Sequence, residues 1–322
     1  MAVYTKLKKE NIEEILSNYS IGQLEEFNGI EDGVENTNYF LIAGSKKFIL
    51  TIYERRVKEE DLPFFSDLMT GLGKEKFKCP VPIKNKNNKT ISVYKDKNLM
   101  IVSFLEGRAK KILNPDNCQS LGQEVARMHL ITKKFKIERQ NDLSIKSWRK
   151  LFEQVKDKCT NIHKDLPKLI ESNLTDVEKN WPEDLPKGII HADLFSDNIF
   201  FKDDKFNGII DFYFSCNDFY ALEIAICFNA LCFDGSKNNL SFNVTKAKSF
   251  MKGYSKLREL NENEIESIKV LSQGSALRFL LTRVFDAINT VEGAIVKVKD
   301  PIEYLVRLEF HKNSKNFEDY FF

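Results

Sequence analysis

Four residues near the middle of the chain have the types and spacing that phosphoryl transfer requires. They are His191, Asp193 and Asn198, followed by Asp211 within an apolar run. When a hydroxyl attacks a nucleotide's terminal phosphate, a carboxylate must accept its proton, and oxygen ligands must hold Mg²⁺ against the phosphates. Asp193 suits the first role, and Asn198 and Asp211 suit the second. His191 is predicted to brace the loop by hydrogen bonding.

A purely structural origin of these residues is the alternative. Asp193 could cap a turn, and Asp211 could be an isolated polar residue. Asp211, however, lies between Ile209-Ile210 and Phe212, so we expect it to be buried. An unpaired buried carboxylate is costly, whereas a metal ion would stabilise it. The residues together therefore favour phosphoryl transfer.

Hydrophobic periodicity predicts the elements that position these residues. A strand at 188–190 leads into the loop, and a hairpin at 199–214 follows it. Residues 27–33 are predicted to form a glycine-bearing turn. The other predicted strands lie at 36–42, 48–53, 91–94 and 99–104. The predicted helices lie at 11–19, 59–72, 114–132, 144–158, 167–181, 222–233, 244–254, 262–289 and 301–312.

This order of elements predicts an α+β fold with two lobes. Residues 1–105 are predicted to form an N-lobe that binds the nucleotide and consists of an antiparallel sheet and a helix. Residues 106–322 are predicted to form a mainly helical C-lobe, which holds the catalytic loop and the substrate-binding helices.

The first two predicted strands and the lobe boundary offer groups for a nucleotide. A loop rich in glycine and asparagine can place backbone N–H groups over phosphates, although a plain hairpin needs the same residue types. The extended segment from Phe104 to Glu106 could offer backbone groups to an adenine. The candidates in the loop are Gly33, Asn36, Thr37 and Asn38.

Composition excludes several classes of partner. The 49 basic and 47 acidic residues give a net charge of +2, so neither a nucleic acid nor an anionic membrane is expected as a partner. No apolar stretch has the length of a signal core or a membrane helix. The six cysteines form no C-x-x-C pair and are expected to be buried free thiols in a reducing compartment. The protein is predicted to be cytoplasmic.

The motif His191-x-Asp193-x-x-x-x-Asn198, with Asp211 after an apolar pair, resembles the active site of the aminoglycoside phosphotransferase and choline kinase superfamily. Further segments resemble the homoserine kinase branch and together cover nearly the whole chain. They include residues 29–39, 48–57, 61–65, 101–107, 208–214, 241–245, 276–283 and 299–301.

The resemblance implies a bilobal protein-kinase-like fold and the ATP-dependent phosphorylation of L-homoserine to O-phospho-L-homoserine in threonine biosynthesis. It implies Asp193 as the catalytic base and Asn198 and Asp211 as Mg²⁺ ligands. The loop 33–38 would cover the phosphates, and Phe104–Glu106 would border the adenine. The sequence does not determine the oligomeric state, and a homodimer is one of the alternatives.

One position departs from the kinase pattern. The third strand carries Thr51 where a phosphate-holding Lys or Arg is expected. Arg55 or Arg56 could compensate from just beyond the strand. An inactive nucleotide-binding scaffold is the alternative that Thr51 raises, and the intact Asp193, Asn198 and Asp211 argue against it.

An amino-acid acceptor needs groups for its carboxylate and its ammonium. The helix predicted at 262–289 carries Arg278, Arg283 and Asp286, and an arginine suits bidentate carboxylate binding. A structural Arg–Asp pair is an equally weighted alternative. Asp218 and Glu223 are predicted to brace the metal-binding loop. The arginines favour a substrate carboxylate, whereas choline or an aminoglycoside would favour an acidic pocket. A kinase for choline, methylthioribose or an aminoglycoside is the nearest functional alternative.

Overall fold

The computed structural model describes residues 4–30, 36–54, 57–235, 239–289, 299–315 and 317–320. The chain divides into two compact units. Unit 1 consists of Met1–Gly107, Phe135–Ile137 and Asn207–Tyr213, and unit 2 consists of Arg108–Lys134, Glu138–Phe206 and Phe214–Phe322. Among the helices described, none is both long and apolar enough to cross a membrane.

Unit 1 is built around an antiparallel sheet. Its five described strands have the order β1-β2-β3-β5-β4. The register pairs Asn38 of β2 with Thr51 of β3. The elements are α1 (Lys9–Leu16), β1 (Leu24–Ile30), β2 (Thr37–Ala43), β3 (Lys46–Ile52), α2 (Leu62–Lys74), β4 (Ile91–Tyr94) and β5 (Lys97–Ser103).

The predicted strands and helices of this unit are confirmed, with one error. Phe27–Ile30 belongs to β1 rather than to a turn, and residues 31–33 lie outside the described residues. β1 is an edge strand whose side chains are mostly exposed, so its sequence lacks the apolar alternation that marks a half-buried strand. The helix predicted at 59–72 begins with a 3₁₀ turn at Glu59–Asp61, and α2 follows with Pro63 in its first turn.

Unit 2 is mainly helical. Two short antiparallel strand pairs flank the loop that carries His191, Asp193 and Asn198. Lys187–Ile190 pairs with Cys216–Phe219, and Arg108–Ala109 pairs with Ile199–Lys202. The helices are α3 (Pro115–Thr132), α4 (Ile145–Val155), α5 (Leu166–Asn180), α6 (Tyr220–Leu231), α7 (Val244–Tyr254), α8 (Glu262–Asn289) and α9 (Ile302–Asn313). The strands are β6 (Arg108–Ala109), β7 (Lys187–Ile190), β8 (Ile199–Lys202), β9 (Lys205–Ile209, which continues into unit 1), β10 (Cys216–Phe219), β11 (Phe233–Asp234) and β12 (Ser241–Phe242).

Helices α3 and α7 pack with their backbones in close contact. A Cβ atom at Gly122 would lie 2.0 Å from the carbonyl oxygen of Phe250, and one at Gly253 would lie 1.9 Å from that of Gln119. These glycines therefore allow an approach that no larger residue permits. The six cysteines are free and buried, as expected from their apolar neighbours.

An aromatic cluster of unit 2 surrounds His311. The imidazole is fully buried, with Nδ1 2.9 Å from the Tyr320 hydroxyl and Nε2 3.0 Å from Asn229 Oδ1. Its ring stacks on Tyr320 and meets Phe310 edge-on. Burial, together with the nearby charge of Arg307, lowers the pKa of His311 to about 3. The imidazole is therefore neutral in the folded protein.

This buried neutral histidine predicts acid sensitivity. The unfolded chain protonates His311 near its ordinary pKa of about 6.5, whereas the folded chain does so only near 3. Its contribution to stability is therefore complete above about pH 6.5 and declines as the pH falls toward 3, by up to about 1.4 kcal/mol per pH unit. We expect the difference in free energy of unfolding between wild type and His311→Gln to shrink at that rate between pH 6.5 and 5, measured by urea denaturation.

His163 provides the matched control because it is exposed. His163→Gln, measured over the same pH range, gives the effect of replacing an exposed histidine. Taking differences removes the contributions of other titrating groups. A constant difference for His311→Gln would show that this imidazole is not held neutral.

Candidate active site

The loop that carries the predicted catalytic residues begins where β7 ends. Ala192, just before Asp193, has φ of 64°. This left-handed conformation costs a residue with a Cβ about 1–2 kcal/mol. The surrounding structure holds it from both sides. The carboxylate of Glu223 accepts the N–H groups of His191 and Ala192, the latter at 3.1 Å, and Arg278 Nη1 donates to the Ala192 carbonyl oxygen at 2.8 Å.

Glu223 is the buried anchor of this loop. It lies on the apolar helix α6 and is fully inaccessible to solvent. Burial raises the pKa of its carboxyl to about 7, while the two backbone N–H groups and the charge of Arg278 act to lower it. Glu223 therefore braces the loop at His191 and Ala192, whereas the sequence predicted a brace for the metal-binding loop that precedes it in the chain. Asp218 accepts a hydrogen bond from Asn141 Nδ2 at 2.7 Å.

Within the loop, the predicted residues of unit 2 bond to one another. The Asp193 N–H donates to Nδ1 of the buried His191 at 3.3 Å. Asn198 Nδ2 donates to the Asp193 carbonyl at 2.9 Å and to its Oδ2 at 3.3 Å. Hydrogen bonding thus fixes the imidazole tautomer and places the Asp193 carboxylate beside the Asn198 amide.

Asp211 belongs to unit 1, where it follows β9. The expectation that it is buried is wrong, because its side chain is exposed. The cause is its backbone: φ is 64° at Asp211, and this left-handed turn interrupts the alternation of a strand. Ile209 and Phe212 on either side remain buried, so the argument for a metal based on the cost of burial does not hold.

The donor chemistry of Asn198 and Asp211 nevertheless fits Mg²⁺. Asn198 uses its amide nitrogen on Asp193, which leaves an amide oxygen for a cation, and Asp211 supplies an exposed carboxylate. Among the described residues, no group of three His, Cys, Asp or Glu side chains forms a self-sufficient metal site. Each of the two residues thus offers an oxygen donor of the kind that Mg²⁺ prefers.

A neutral hydroxyl network surrounds Thr51, the strand residue at which the kinase pattern led us to expect a lysine or arginine. The buried Thr51 donates its hydroxyl to Asn38 Oδ1 at 2.8 Å. Next to it, the Tyr53 hydroxyl donates to that of Tyr213 at 3.1 Å. Burial raises the pKa of Tyr213 to about 12, and the charge of Asp211 adds to the effect. These groups therefore stay neutral. Arg55 and Arg56 lie outside the described residues.

The described candidates in the loop before β2 form hydrogen bonds with the N-terminal segment and with Glu54. Gly33 lies outside the described residues. Thr37 Oγ1 accepts the N–H groups of Tyr4 and Thr5 at 3.0 and 3.1 Å and donates to Glu54 at 2.8 Å. Asn36 Oδ1 accepts the N–H of Glu54 at 3.3 Å. Side chains at the start of β2 thus attach residues 4–5 and Glu54 to the sheet.

The segment proposed to border an adenine is tied to its neighbours in unit 1. The Phe104 N–H donates to the Lys47 carbonyl at 3.2 Å. Asn207 Nδ2 donates to the backbone carbonyl of Glu106 at 2.6 Å. The Glu106 carboxylate forms an ion pair with Lys47 Nζ at 3.0 Å. These contacts fix the course of the segment that follows β5.

The predicted substrate residues of α8 lie at different places. Arg278 is buried against the catalytic loop, and its Nε has no hydrogen-bond partner among the described residues. Arg283 Nη1 donates to the Asp300 carbonyl at 2.8 Å and to Glu303 Oε2 at 2.9 Å. Asp286 is half-buried near the end of the helix. The structure therefore assigns Arg278 a positioning contact, which sequence spacing did not reveal.

Comparison with known proteins first defines the class. Residues 26–260 match the model of the phosphotransferase enzyme family. The fold is shared with an amicoumacin kinase in complex with AMP-PNP (TM-score 0.70, 14% identity, covering 97% of this chain and 95% of that one). It is also shared with a spectinomycin phosphotransferase (TM-score 0.67, 12% identity, 98% of each chain). The predicted bilobal kinase-like α+β fold is thereby confirmed.

Curated relatives define the branch. The chain is 43% identical over 312 residues to the homoserine kinase of Parvibaculum lavamentivorans, covering 97% of this chain and 96% of the relative. It is 41% identical over 320 residues to that of Agrobacterium fabrum, covering 99% and 98%. The chain therefore belongs to the homoserine kinase family.

Proposed function

We propose that this protein transfers the terminal phosphoryl group of ATP to the side-chain hydroxyl of L-homoserine, forming O-phospho-L-homoserine in threonine biosynthesis. The observation that carries the proposal is the loop after β7, in which Asn198 donates to the Asp193 carboxylate while Glu223 of α6 and Arg278 of α8 hold Ala192. The identity with curated homoserine kinases over nearly the whole chain supports it. We place the reaction in the cytoplasm on the basis of the chain's composition.

Asp193 is proposed as the general base. Its carboxylate orients the acceptor hydroxyl and takes its proton as the oxygen attacks the phosphorus, which typically contributes about 10²–10⁴-fold in rate. His191 contributes by accepting the Asp193 N–H. Glu223 and Arg278 contribute by fixing the peptide groups of Ala192. Such preorganisation matters because small displacements of reacting groups slow the reaction strongly.

The nucleotide is proposed to bind to residues 1–105, with the catalytic groups in residues 106–322. Backbone N–H groups of the loop 33–38 would lie over the phosphates, and Phe104–Glu106 would border the adenine. Asn198 and Asp211 are the proposed Mg²⁺ ligands. Mg²⁺ bound with ATP neutralises the phosphate charge that develops during transfer. Thr51 carries no charge that could hold the phosphates. Its expected contribution is to position Asn38, to which its hydroxyl donates a hydrogen bond.

The acceptor is identified by measuring ADP release with a panel of alcohols. We expect the highest kcat/KM with L-homoserine, compared with choline, methylthioribose and a kanamycin-type amine. A reaction without acceptor corrects for ATP hydrolysis, and detection of O-phospho-L-homoserine confirms the product. Turnover with choline, together with none for homoserine, would contradict the proposal.

A further inference from the structure

Unit 2 contains a cavity of about 220 Å³ that lies against the catalytic loop. Ser196, between Asp193 and Asn198 in the chain, forms part of its wall. The rest of the lining includes charged side chains from several elements. These are Lys111, Asp234, Lys246, Glu303 and Arg307.

Arg307 is a buried cation in this lining, with 9% of its surface exposed. Its Nε donates to the Asn229 carbonyl and its Nη1 to the Glu303 carbonyl, both at 2.8 Å. The guanidinium lies over the rings of Phe233 and Tyr304, 5.2 and 4.8 Å from their centroids. Among the described residues its hydrogen-bond partners are neutral carbonyls, and no carboxylate forms a salt bridge with it. A buried charge held in this way gains from an anionic ligand.

Glu303 lies one helical turn before Arg307 on α9, and both face the cavity. Side chains four residues apart on a helix are neighbours, with Cβ atoms about 5–6 Å apart. The Glu303 carboxylate is about one-third exposed and accepts Arg283 Nη1 at 2.9 Å. The cavity therefore presents a carboxylate and a guanidinium side by side. This arrangement complements the ammonium and carboxylate that an α-amino acid carries on one carbon.

The rest of the lining fits a zwitterion better than a polycation. Lys246 forms an ion pair with Asp234, and Asn243 Nδ2 also donates to Asp234 at 2.6 Å. The lining thus has three basic and two acidic side chains, so a choline or aminoglycoside cation would meet net positive charge. Apolar surface for a short methylene chain comes from Leu231, Phe233 and Leu240.

We propose that this cavity binds the amino-acid head of the acceptor, with Arg307 receiving the carboxylate and Glu303 the ammonium. This inference rests on the proposed function and names the acceptor site within it. Ser196 in the wall places the hydroxyl end of the acceptor toward the loop that carries Asp193. The carboxylate contact is thereby assigned to α9 rather than to Arg278 or Arg283 of α8.

Matched acceptors test the inference. 3-Aminopropan-1-ol is homoserine without its carboxylate, and 4-hydroxybutanoate is homoserine without its ammonium. For Arg307→Met, we expect kcat/KM for homoserine to fall roughly 10²- to 10³-fold and that for 3-aminopropan-1-ol to fall less than about three-fold. For Glu303→Gln, we expect kcat/KM for homoserine to fall roughly ten-fold or more and that for 4-hydroxybutanoate to change little.

Controls separate binding from folding. Arg258→Met removes a half-buried arginine of unit 2, which pairs with Glu264 at 2.7 Å and is not among the residues that line the cavity. It should change the rates with homoserine and 3-aminopropan-1-ol by the same factor. Arg307→Lys, which keeps the charge, should recover part of the homoserine-specific loss. Circular dichroism of each variant checks folding.

Three outcomes would overturn the inference. Equal losses on both acceptors in Arg307→Met and Arg307→Lys would make Arg307 structural and leave the proposed function intact. A carboxylate-specific loss in Arg283→Met instead would move the anion site to α8. A wild-type enzyme that does not use homoserine would refute the proposed function and this inference together.

Discussion

Replacing Asp193 with asparagine is expected to lower kcat for homoserine phosphorylation by roughly 10²–10⁴-fold. The amide has nearly the shape of the carboxylate but cannot accept the proton of the attacking hydroxyl. The Asp193 N–H and carbonyl keep their bonds to His191 and Asn198, because both are backbone groups. Nucleotide affinity should therefore stay within about two-fold of wild type. Steady-state kinetics and calorimetric titration with a non-hydrolysable ATP analogue measure the two effects.

Asp197 supplies a matched control in the same loop. Its carboxylate is exposed and lies 3.5 Å from Lys299 Nζ, and exposed ion pairs contribute little. Asp197→Asn should retain near wild-type turnover. If Asp197→Asn lost activity while Asp193→Asn retained it, the general base would have to be reassigned.

Replacing Asp211 with asparagine is expected to lower kcat/KM at physiological Mg²⁺ by roughly 10²-fold or more, because the proposed metal ligand loses its charge. Asparagine is the suitable substitute, since it tolerates the left-handed φ of 64° at this position. Higher Mg²⁺ concentrations should restore part of the activity. The measurement is a Mg²⁺ titration of the rate at saturating homoserine.

Asp203→Asn makes the same change at another exposed aspartate with positive φ, 50° in this case. It should leave the Mg²⁺ dependence unchanged, which controls for general effects of an Asp-to-Asn substitution at a left-handed residue. A Mg²⁺ titration of Asp211→Asn that superimposes on wild type would remove Asp211 from the metal site.

The sequence alone was sufficient for features whose parts are close in the chain. Helices α7 and α8 have the predicted bounds, because strong periodicity and clear termini encode them locally. The proposed catalytic loop could be delimited because His191, Asp193 and Asn198 lie within one short segment. Their mutual hydrogen bonds depend mainly on local backbone geometry. Strand β1 was missed since its exposed edge carries no apolar alternation.

The tertiary structure decided what depends on distant segments meeting. The sequence offered Arg278 of α8 as a candidate for the substrate carboxylate, and only the folded chain shows that its guanidinium contacts the carbonyl of Ala192. Asp211 is exposed although its neighbours in sequence are apolar, because a left-handed turn redirects one residue without changing the composition around it.

The opening motif therefore specified the chemistry, whereas its support and the proposed acceptor site came from elsewhere in the chain. Glu223 on α6 and Arg278 on α8 hold a strained Ala192 in place. The paired charges of Glu303 and Arg307 face a cavity wall formed by the catalytic loop. Sequence patterns report a residue's own element and its preferred faces. They do not report which charged side chains of separate helices converge, because packing of the whole unit determines that.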